Sequence, residues 1–265
     1  MDLVVTTPLH PAPDEAQAAI AAAGRYGLPF VARERRPLSR VVAAAGADAA
    51  LVLSSTKAVL VAGGAEHAWS PGMGALRMKR VLARRAGSRA DATTHDPFAE
   101  AAGIEPGDAV LDCTAGLGAD ALVAAAAAGP RGRVVGLESS RALAAWTGEG
   151  MRRLPLEPAR RVEVQHADHL AFLSAAAPAS FDVVVFDPMF RHARAEPGGF
   201  DVVRRLADAR PLAPEALDAA RRVARRWVVV KDGAPGWDLA RLGLVPLPSA
   251  RGAHRYYARV PALGR

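Results

Sequence analysis

Short apolar runs alternate with alanine-rich or amphipathic stretches through the second half of the chain. Apolar runs of about four to eight residues predict buried strands, and the longer stretches between them predict helices. The predicted strands are residues 110–113, 133–138, 161–165, 181–186 and 227–230. Their alternation with helices predicts a mostly parallel sheet covered on both faces, a doubly wound α/β fold. Residues 242–247 and 255–260 predict a closing antiparallel hairpin, which brings the sheet to seven strands.

The first 90 residues have shorter elements. Strands are predicted at 3–6, 28–31, 49–54 and 58–62, and helices at 14–26, 38–45 and 75–86. Residues 86–94 are polar and contain Gly and Ser, which is typical of a linker. We therefore predict a small N-terminal α/β domain over residues 1–90 and a larger α/β domain over residues 91–265.

The helix predicted at 75–86 is basic. Arg77, Arg80 and Arg84 are spaced so that they share one helix face. Two interpretations stay open at this point. The face either binds phosphate groups or is an ordinary solvated surface.

Charge and cysteine content add expectations about partners and compartment. The 265-residue chain has a net charge of +7, which fits a polyanionic partner such as RNA, although an arginine-rich composition alone produces the same balance. The single cysteine, Cys113, excludes an intrachain disulfide and is expected to be a small packing residue. The N-terminus lacks a secretory signal, and no apolar run approaches the roughly 20 residues of a membrane span. We expect a cytoplasmic protein with no membrane partner and no metal site.

A glycine-rich turn follows the strand that ends at Asp112. It reads Cys-Thr-Ala-Gly-Leu-Gly over residues 113–118 and leads into a helix predicted at 120–128. Glycine allows the backbone to approach a ligand closely, and a helix start adds positive character. The third glycine of the dinucleotide pattern is absent, and Asp120 lies where a pyrophosphate would bind. The candidate cofactor-binding residues of this segment are Asp112, Thr114, Ala115, Gly116, Gly118 and Asp120.

Two further acidic residues follow later strands of the predicted sheet. Glu138 can accept hydrogen bonds from two ribose hydroxyls, and Asp168 from an adenine amino group. Ser139 and Ala167 are their neighbours and complete the candidate set. Any one such acid is commonly a helix cap, but three acids in register with a glycine turn predict a nucleoside cofactor. S-adenosylmethionine (SAM) is favoured over a nicotinamide, because Asp112 suits its ammonium and sulfonium groups.

The fourth strand ends in Asp187-Pro188-Met189-Phe190. This segment resembles the Asp/Asn-Pro-Pro-Tyr/Phe motif of methyltransferases that act on exocyclic base amines. We predict that Asp187 and the Pro188 carbonyl accept the two amine hydrogens, that Phe190 stacks on the base, and that Asp187 also borders the cofactor. The alternative is an Asp-Pro pair that merely ends a strand.

Basic residues near this motif have open roles. Arg191, His192 and Arg194 follow it and either contact a nucleic-acid backbone or belong to a solvated loop. Lys231, at the end of the fifth strand, either contacts a phosphate or extends to solvent.

Taken together, these motifs resemble the RsmJ type of bacterial small-subunit ribosomal RNA guanine-N2 methyltransferases and its uncharacterised branch. The matching segments are residues 110–120, 186–190 with His192, 226–231 and 254–256, within about residues 95–260. Arg191 departs from the family's proline, and Asp168 from its frequent small hydroxyl residue. The N-terminal unit looks more like the uncharacterised branch.

The resemblance implies a class I SAM-dependent methyltransferase with a Rossmann-like fold. It also implies that Asp112, Gly116, Gly118, Glu138 and Asp187 lie in the cofactor and active site. Guanine N2 is the implied target, and ribosomal RNA or the small ribosomal subunit is the implied partner. Two alternatives stay open: the same fold acting on a small molecule or protein, and a non-catalytic RNA-binding or assembly protein that retains the fold.

Overall fold

A computed structural model describes residues 1–88, 95–188, 200–248 and 254–264. Most of the predicted linker, residues 89–94, lies outside the described residues. No helix within the described ranges has the length and apolar character that crossing a membrane requires.

The N-terminal part of the chain forms a four-stranded sheet. Its strands are β1 (Leu3–Thr6), β2 (Ala49–Leu53), β3 (Ala58–Ala62) and β4 (Ala65–Ala68), in that spatial order. β1 and β2 are parallel, and the other neighbours are antiparallel. Its helices are α1 (Pro13–Tyr26), α2 (Leu38–Ala45) and α3 (Gly74–Arg85).

The sheet differs from the sequence prediction at two points, one predicted strand that does not form and one strand that was not predicted. Residues 28–31 form only an isolated bridge between Val5 and Phe30, because Pro29 has no N–H to donate to a continued ladder. β4 was not predicted. It is a mostly exposed edge strand with little apolar sequence, so it carries no buried-strand pattern.

The larger sheet has six strands. They are β5 (Ala109–Asp112), β6 (Arg133–Glu138), β7 (Val162–His166), β8 (Phe181–Phe186), β9 (Ala224–Gly233) and β10 (Arg255–Pro261). Their order is β10-β9-β8-β5-β6-β7, with every neighbour parallel except β10 against β9. The doubly wound α/β class is confirmed. The order reverses at β5, which makes the carboxyl ends of β5, β6 and β8 the place where such sheets bind ligands.

The predicted count of seven strands was wrong for the described residues. Residues 242–247 form no strand, and Leu247 donates a single backbone hydrogen bond to Tyr257. Pro246 and Pro248 lack the N–H groups of a regular ladder. The antiparallel pair at the edge is formed instead by β9, which is longer than predicted, and β10.

Helices cover both faces of this sheet. They are α4 (Pro97–Ala102), α5 (Ala119–Ala128), α6 (Arg141–Arg153), a 3-10 helix (Glu157–Arg161), α7 (His169–Ala175), α8 (Phe200–Leu206), α9 (Pro214–Val223) and α10 (Trp237–Arg241). Val110 of β5 packs in one cluster with Leu122 of α5, whereas Leu111 packs in the other with Leu217 of α9. Burial on both faces explains the continuous apolar runs of these strands.

The two sheets share a hydrophobic cluster. It joins Leu51 and Leu60 of the four-stranded sheet to Val110 and Leu122. Helix α3 also lies directly against α5, because a Cβ on Gly74 would come within 2.8 Å of the Ala119 Cα. The domain boundary at residues 90 and 91 stays a prediction.

Candidate active site

The carboxyl edge of the six-stranded sheet collects the acids that follow its strands. Asp112 ends β5, Glu138 ends β6, Asp168 follows β7 and Asp187 follows β8. Lys231 lies in β9, one residue beyond the Val230 that pairs with the last residue of β8. Parallel strands end at a common edge, so side chains far apart in sequence surround one site.

The glycine-rich turn is held against β6 and α6. The Ala115 N–H donates to the Leu137 carbonyl at 2.9 Å, and the Thr147 hydroxyl donates to the Gly116 carbonyl at 2.6 Å. Gly118 has φ of +78°, and a Cβ there would lie 2.7 Å from Cε of Met151. Only glycine fits this position without strain or displacement.

Glu138 is buried beside the turn. Its Oε2 accepts from the Gly116 N–H at 3.2 Å, and its Oε1 accepts from the Ser140 N–H at 2.8 Å. Burial raises the pKa of Glu138. Each carboxylate oxygen can accept a further hydrogen bond, so these contacts leave the group able to bind ribose hydroxyls.

Asp112 is a buried carboxyl group at the start of the turn. Its Oδ1 accepts from the Thr114 N–H at 3.0 Å. Among the described residues it forms no salt bridge, since the nearby ammonium of Lys231 contacts Asp120 and Asp187 instead. Burial, together with the negative charge of Asp120, raises the pKa of Asp112 to about 8. A cationic ligand group would relieve this unfavourable environment.

Asp168 lies at the outer end of the candidate cofactor site. Its Oδ1 caps α7 by accepting from the Ala171 N–H at 3.0 Å, and its Oδ2 pairs with Arg210 at 2.9 Å. Arg210 also pairs with Asp208, whose Oδ2 lies 3.5 Å from the Ser139 hydroxyl. The Ala167 N–H donates to the Glu138 carbonyl. An adenine amino group would share Asp168 with Arg210 or displace it.

Asp120 has both oxygens engaged inside the protein. Its Oδ1 pairs with Arg77 at 2.5 Å and its Oδ2 with Lys231 at 2.8 Å. Burial opposes ionisation, but Lys231 and Arg77 outweigh it and lower the pKa of Asp120 to about 2. Cofactor binding by Asp120 stays a prediction, and these contacts give it a different set of partners.

Arg77 and Lys231 make contacts that the sequence analysis did not predict. Arg77 lies between Asp96 and Asp120 and above the Phe98 ring, so neither a phosphate-binding nor a solvated face describes it. Arg80 is half-buried and Arg84 is exposed. Lys231 is buried inside the protein and does not extend to solvent.

Asp187 lies between Lys231 and the glycine-rich turn. Its N–H donates to the Thr114 hydroxyl at 2.6 Å, and its Oδ2 lies 2.5 Å from Nζ of Lys231. Burial raises the pKa of Asp187 to about 6, although Lys231 acts to lower it. Pro188 follows and is half-buried. The candidates Phe190, Arg191, His192 and Arg194 lie outside the described residues.

Three contacts of this site have no signal in the sequence. The hydrogen bond from Asp187 to Thr114, the bond from Thr147 to Gly116 and the pairing of Arg77 with Asp120 join segments separated by many residues.

Cys113 is buried beside Asp112 and packs in a hydrophobic cluster. Burial raises its pKa well above the ordinary thiol value, so it is a poor nucleophile.

Comparison with known proteins identifies this architecture. The family model described as "Putative SAM-dependent methyltransferase" matches residues 47–241. The chain belongs to this SAM-dependent methyltransferase family. YpiP of Bacillus subtilis, an uncharacterised protein, is 30% identical over 235 residues, which cover 86% of this chain and 88% of YpiP.

Ribosomal RNA methyltransferases match a shorter stretch of the chain than YpiP does. The ribosomal RNA small subunit methyltransferase J of Dechloromonas aromatica is 35% identical over 147 residues, and that of Erwinia tasmaniensis is 37% identical over 153. These matches cover 51% and 53% of this chain, and 58% and 60% of the two relatives. The chain therefore spans less than two thirds of their length.

The fold also has a counterpart among solved structures. The crystal structure of a SAM-dependent methyltransferase of Neisseria gonorrhoeae matches with a TM-score of 0.62 and 19% identity, covering 99% of this chain and 97% of that one. Family and fold imply SAM as the cofactor of this methyltransferase. The site fits that molecule. Asp112 is a buried carboxyl with no salt bridge to any described residue, which suits a cation, and the Glu138 carboxylate suits the hydroxyls of a ribose.

Proposed function

We propose that this methyltransferase transfers a methyl group from SAM to an exocyclic amine of a nucleobase in ribosomal RNA, with guanine N2 as the target atom. The observation that carries the proposal is the hydrogen bond from the Asp187 N–H to the Thr114 hydroxyl. It joins the Asp187-Pro188 segment to the glycine-rich turn, so the amine-binding group and the cofactor site share one edge of the sheet.

The cofactor site uses the strand-end acids in order. Asp112 pairs with the methionine ammonium, Glu138 binds the ribose hydroxyls, and Asp168 binds the adenine amino group. Backbone and small side chains of the remaining candidates enclose the ligand between these acids: Thr114, Ala115, Gly116, Gly118, Ser139 and Ala167. When bound, SAM supplies a methyl group activated by a positively charged sulfur.

Asp187 and Pro188 hold the substrate amine. The Asp187 carboxylate and the Pro188 carbonyl each accept one N–H, which directs the nitrogen lone pair toward the methyl group. The carboxylate also stabilises the positive charge that develops on nitrogen. With a pKa of about 6, Asp187 is ionised at neutral pH and can accept the proton that the methylated amine releases. Phe190 follows at the distance in sequence expected for a base-stacking residue.

An RNA substrate is supported by charge and by relatives. The chain carries a net charge of +7, which favours a polyanionic partner. Relatives that match it over about half its length are ribosomal RNA small subunit methyltransferases. Guanine N2 comes from the resemblance of the Asp187-to-Phe190 segment to the RsmJ type.

The test is methyl transfer from labelled SAM to ribosomal RNA from cells that lack this gene. We expect transfer by the wild type and a loss of at least about 100-fold in Asp187→Ala, because positioning and proton acceptance are both removed. SAM affinity should be retained. Asp218→Ala, an exposed acid on α9, is the matched control and should keep full activity. Full transfer by Asp187→Ala would refute the assignment.

A further inference from the structure

Four charged side chains form a continuous row that ends at Asp187. Arg77 of α3 contacts Asp120 of α5 at 2.5 Å, Asp120 contacts Lys231 of β9 at 2.8 Å, and Lys231 contacts Asp187 at 2.5 Å. Asp96, the cap of α4, holds the other side of the Arg77 guanidinium at 2.8 Å. The row therefore extends from a helix of the N-terminal part of the chain to the carboxylate proposed to hold the amine.

The three side chains behind Asp187 are largely buried, so each of their charges depends on its neighbours, whereas the side chain of Asp187 itself is 26% exposed. The side chains of Lys231 and Asp120 are each 7% exposed, and that of Arg77 is 18% exposed. Burial disfavours the Lys231 ammonium, but Asp187 and Asp120 outweigh it and raise the pKa of Lys231. Lys231 is thus a fixed cation that solvent does not screen.

The two carboxylate oxygens of Asp187 have different contacts. Lys231 occupies Oδ2, and among the described contacts no salt bridge engages Oδ1. Asp120 accepts from Lys231 through Oδ2 while Arg77 holds Oδ1, so the ammonium cannot swing away from the end of β8 without losing a buried partner.

We propose that Lys231 is a positioning residue for methyl transfer, because its ammonium, anchored by Asp120 and Arg77, holds one oxygen of Asp187 and leaves the other to accept the substrate N–H. This inference rests on the proposed function, in which Asp187 binds the amine. Lys231 does not itself touch the reacting atoms. It fixes the orientation of the carboxylate and keeps it ionised.

The effect of Lys231 on the ionisation of Asp187 has a direction that can be measured. Burial and the charge of Asp120 raise the pKa of Asp187, and Lys231 lowers it. Among the described residues, the charged and titratable groups around this carboxylate are Lys231 of β9, Asp120 of α5, Arg77 of α3, Asp112 of β5 and Tyr257 of β10. Removal of the Lys231 charge should therefore raise the pKa of Asp187, whereas removal of the Asp120 charge should lower it.

The test compares Lys231→Met with Asp120→Asn in the full-length protein. Two quantities are followed: the acid limb of kcat/KM for RNA, and the carboxyl carbon signal of Asp187 by NMR in aspartate-labelled protein. We expect Lys231→Met to move both upward by about one to three pH units, the range for loss of one opposite charge. Activity at pH 7 should fall by about two- to ninetyfold, in proportion to the loss of ionised Asp187, and recover partly near pH 9. Asp120→Asn should move both downward.

A purely structural role predicts a different result. Loss of activity at every pH with an unchanged Asp187 titration in Lys231→Met would overturn the proposal. If Lys231→Met does not fold, the test rests on Asp120→Asn. An Asp187 titration that is unchanged or moves upward in that variant would overturn the proposal. The NMR signal is read without RNA. The two variants could shift the Asp187 titration in opposite directions while the wild type does not methylate RNA. That result would refute the proposed substrate and leave the control of the Asp187 pKa by Lys231 standing.

Discussion

Binding of SAM should release a proton from Asp112. With a pKa of about 8 in the free protein, Asp112 is protonated in roughly nine-tenths of molecules at pH 7. A cationic ammonium in contact with this buried carboxyl favours the ionised form. We therefore expect about 0.9 proton released per SAM bound at pH 7, and progressively less release as the pH rises through about 8, where Asp112 of the free protein is already ionised.

The measurement is isothermal titration calorimetry in buffers of different ionisation enthalpy at one pH. The slope of observed enthalpy against buffer enthalpy gives the number of protons released. S-adenosylhomocysteine, which keeps the ammonium and lacks the sulfonium charge, should release nearly the same number if the ammonium is the partner of Asp112.

The control is Asp112→Asn, which has no proton to release at this position. Any release that persists in this variant belongs to other groups, such as Glu138, whose pKa burial also raises. Zero release by the wild type at pH 7, or equal release by wild type and Asp112→Asn, would refute the assignment.

The same group makes the stability of the free protein depend on pH. Because the pKa of Asp112 is raised on folding, its contribution to the free energy of unfolding is fully present below the unfolded value of about 4 and is lost as pH rises through about 8. Asp112→Asn should remove this part of the pH dependence in thermal denaturation.

Two further predictions concern the turn itself. Gly118→Ala should reduce the free energy of unfolding by about 1 kcal/mol more than Gly64→Ala. Both glycines have φ near +78°, but only a Cβ at residue 118 meets other side chains, at 2.7 Å from Cε of Met151 and 3.2 Å from Cγ2 of Thr147. Equal losses in chemical denaturation would contradict this explanation. Cys113, buried and with a raised pKa, should react with thiol reagents only after denaturation, so rapid labelling of the native protein would show that the strand end is open.

The central strands could be predicted because each one is determined by the residues of its own short segment. β5, β6 and β8 are apolar runs buried on both faces, and the glycine turn after β5 needs residues without a side chain. The acids at strand ends could be placed at one edge because parallel strands share that edge. These rules predicted the parallel sheet and the location of Asp112, Glu138 and Asp187 at one edge of it.

Other features could not be predicted because they depend on contacts between distant segments. Arg77 is spaced like a surface residue of a basic helix, yet α3 packs on α5 and its guanidinium is turned toward Asp120. Lys231 ends an apolar run, as a lysine that extends to solvent would. Its buried position depends on two acids from distant segments, Asp187 after β8 and Asp120 of α5. β4 has no apolar pattern, because an exposed edge strand does not require one.

The most direct test of the account is nucleoside mass spectrometry of ribosomal RNA from cells that lack this gene, before and after incubation with the purified protein and SAM. The account predicts that the incubated RNA gains N2-methylguanosine, at a stoichiometry near one per small subunit, and that Asp187→Ala produces none. RNA that is fully modified without the gene, or that gains no methylated base with active wild-type protein, would contradict it.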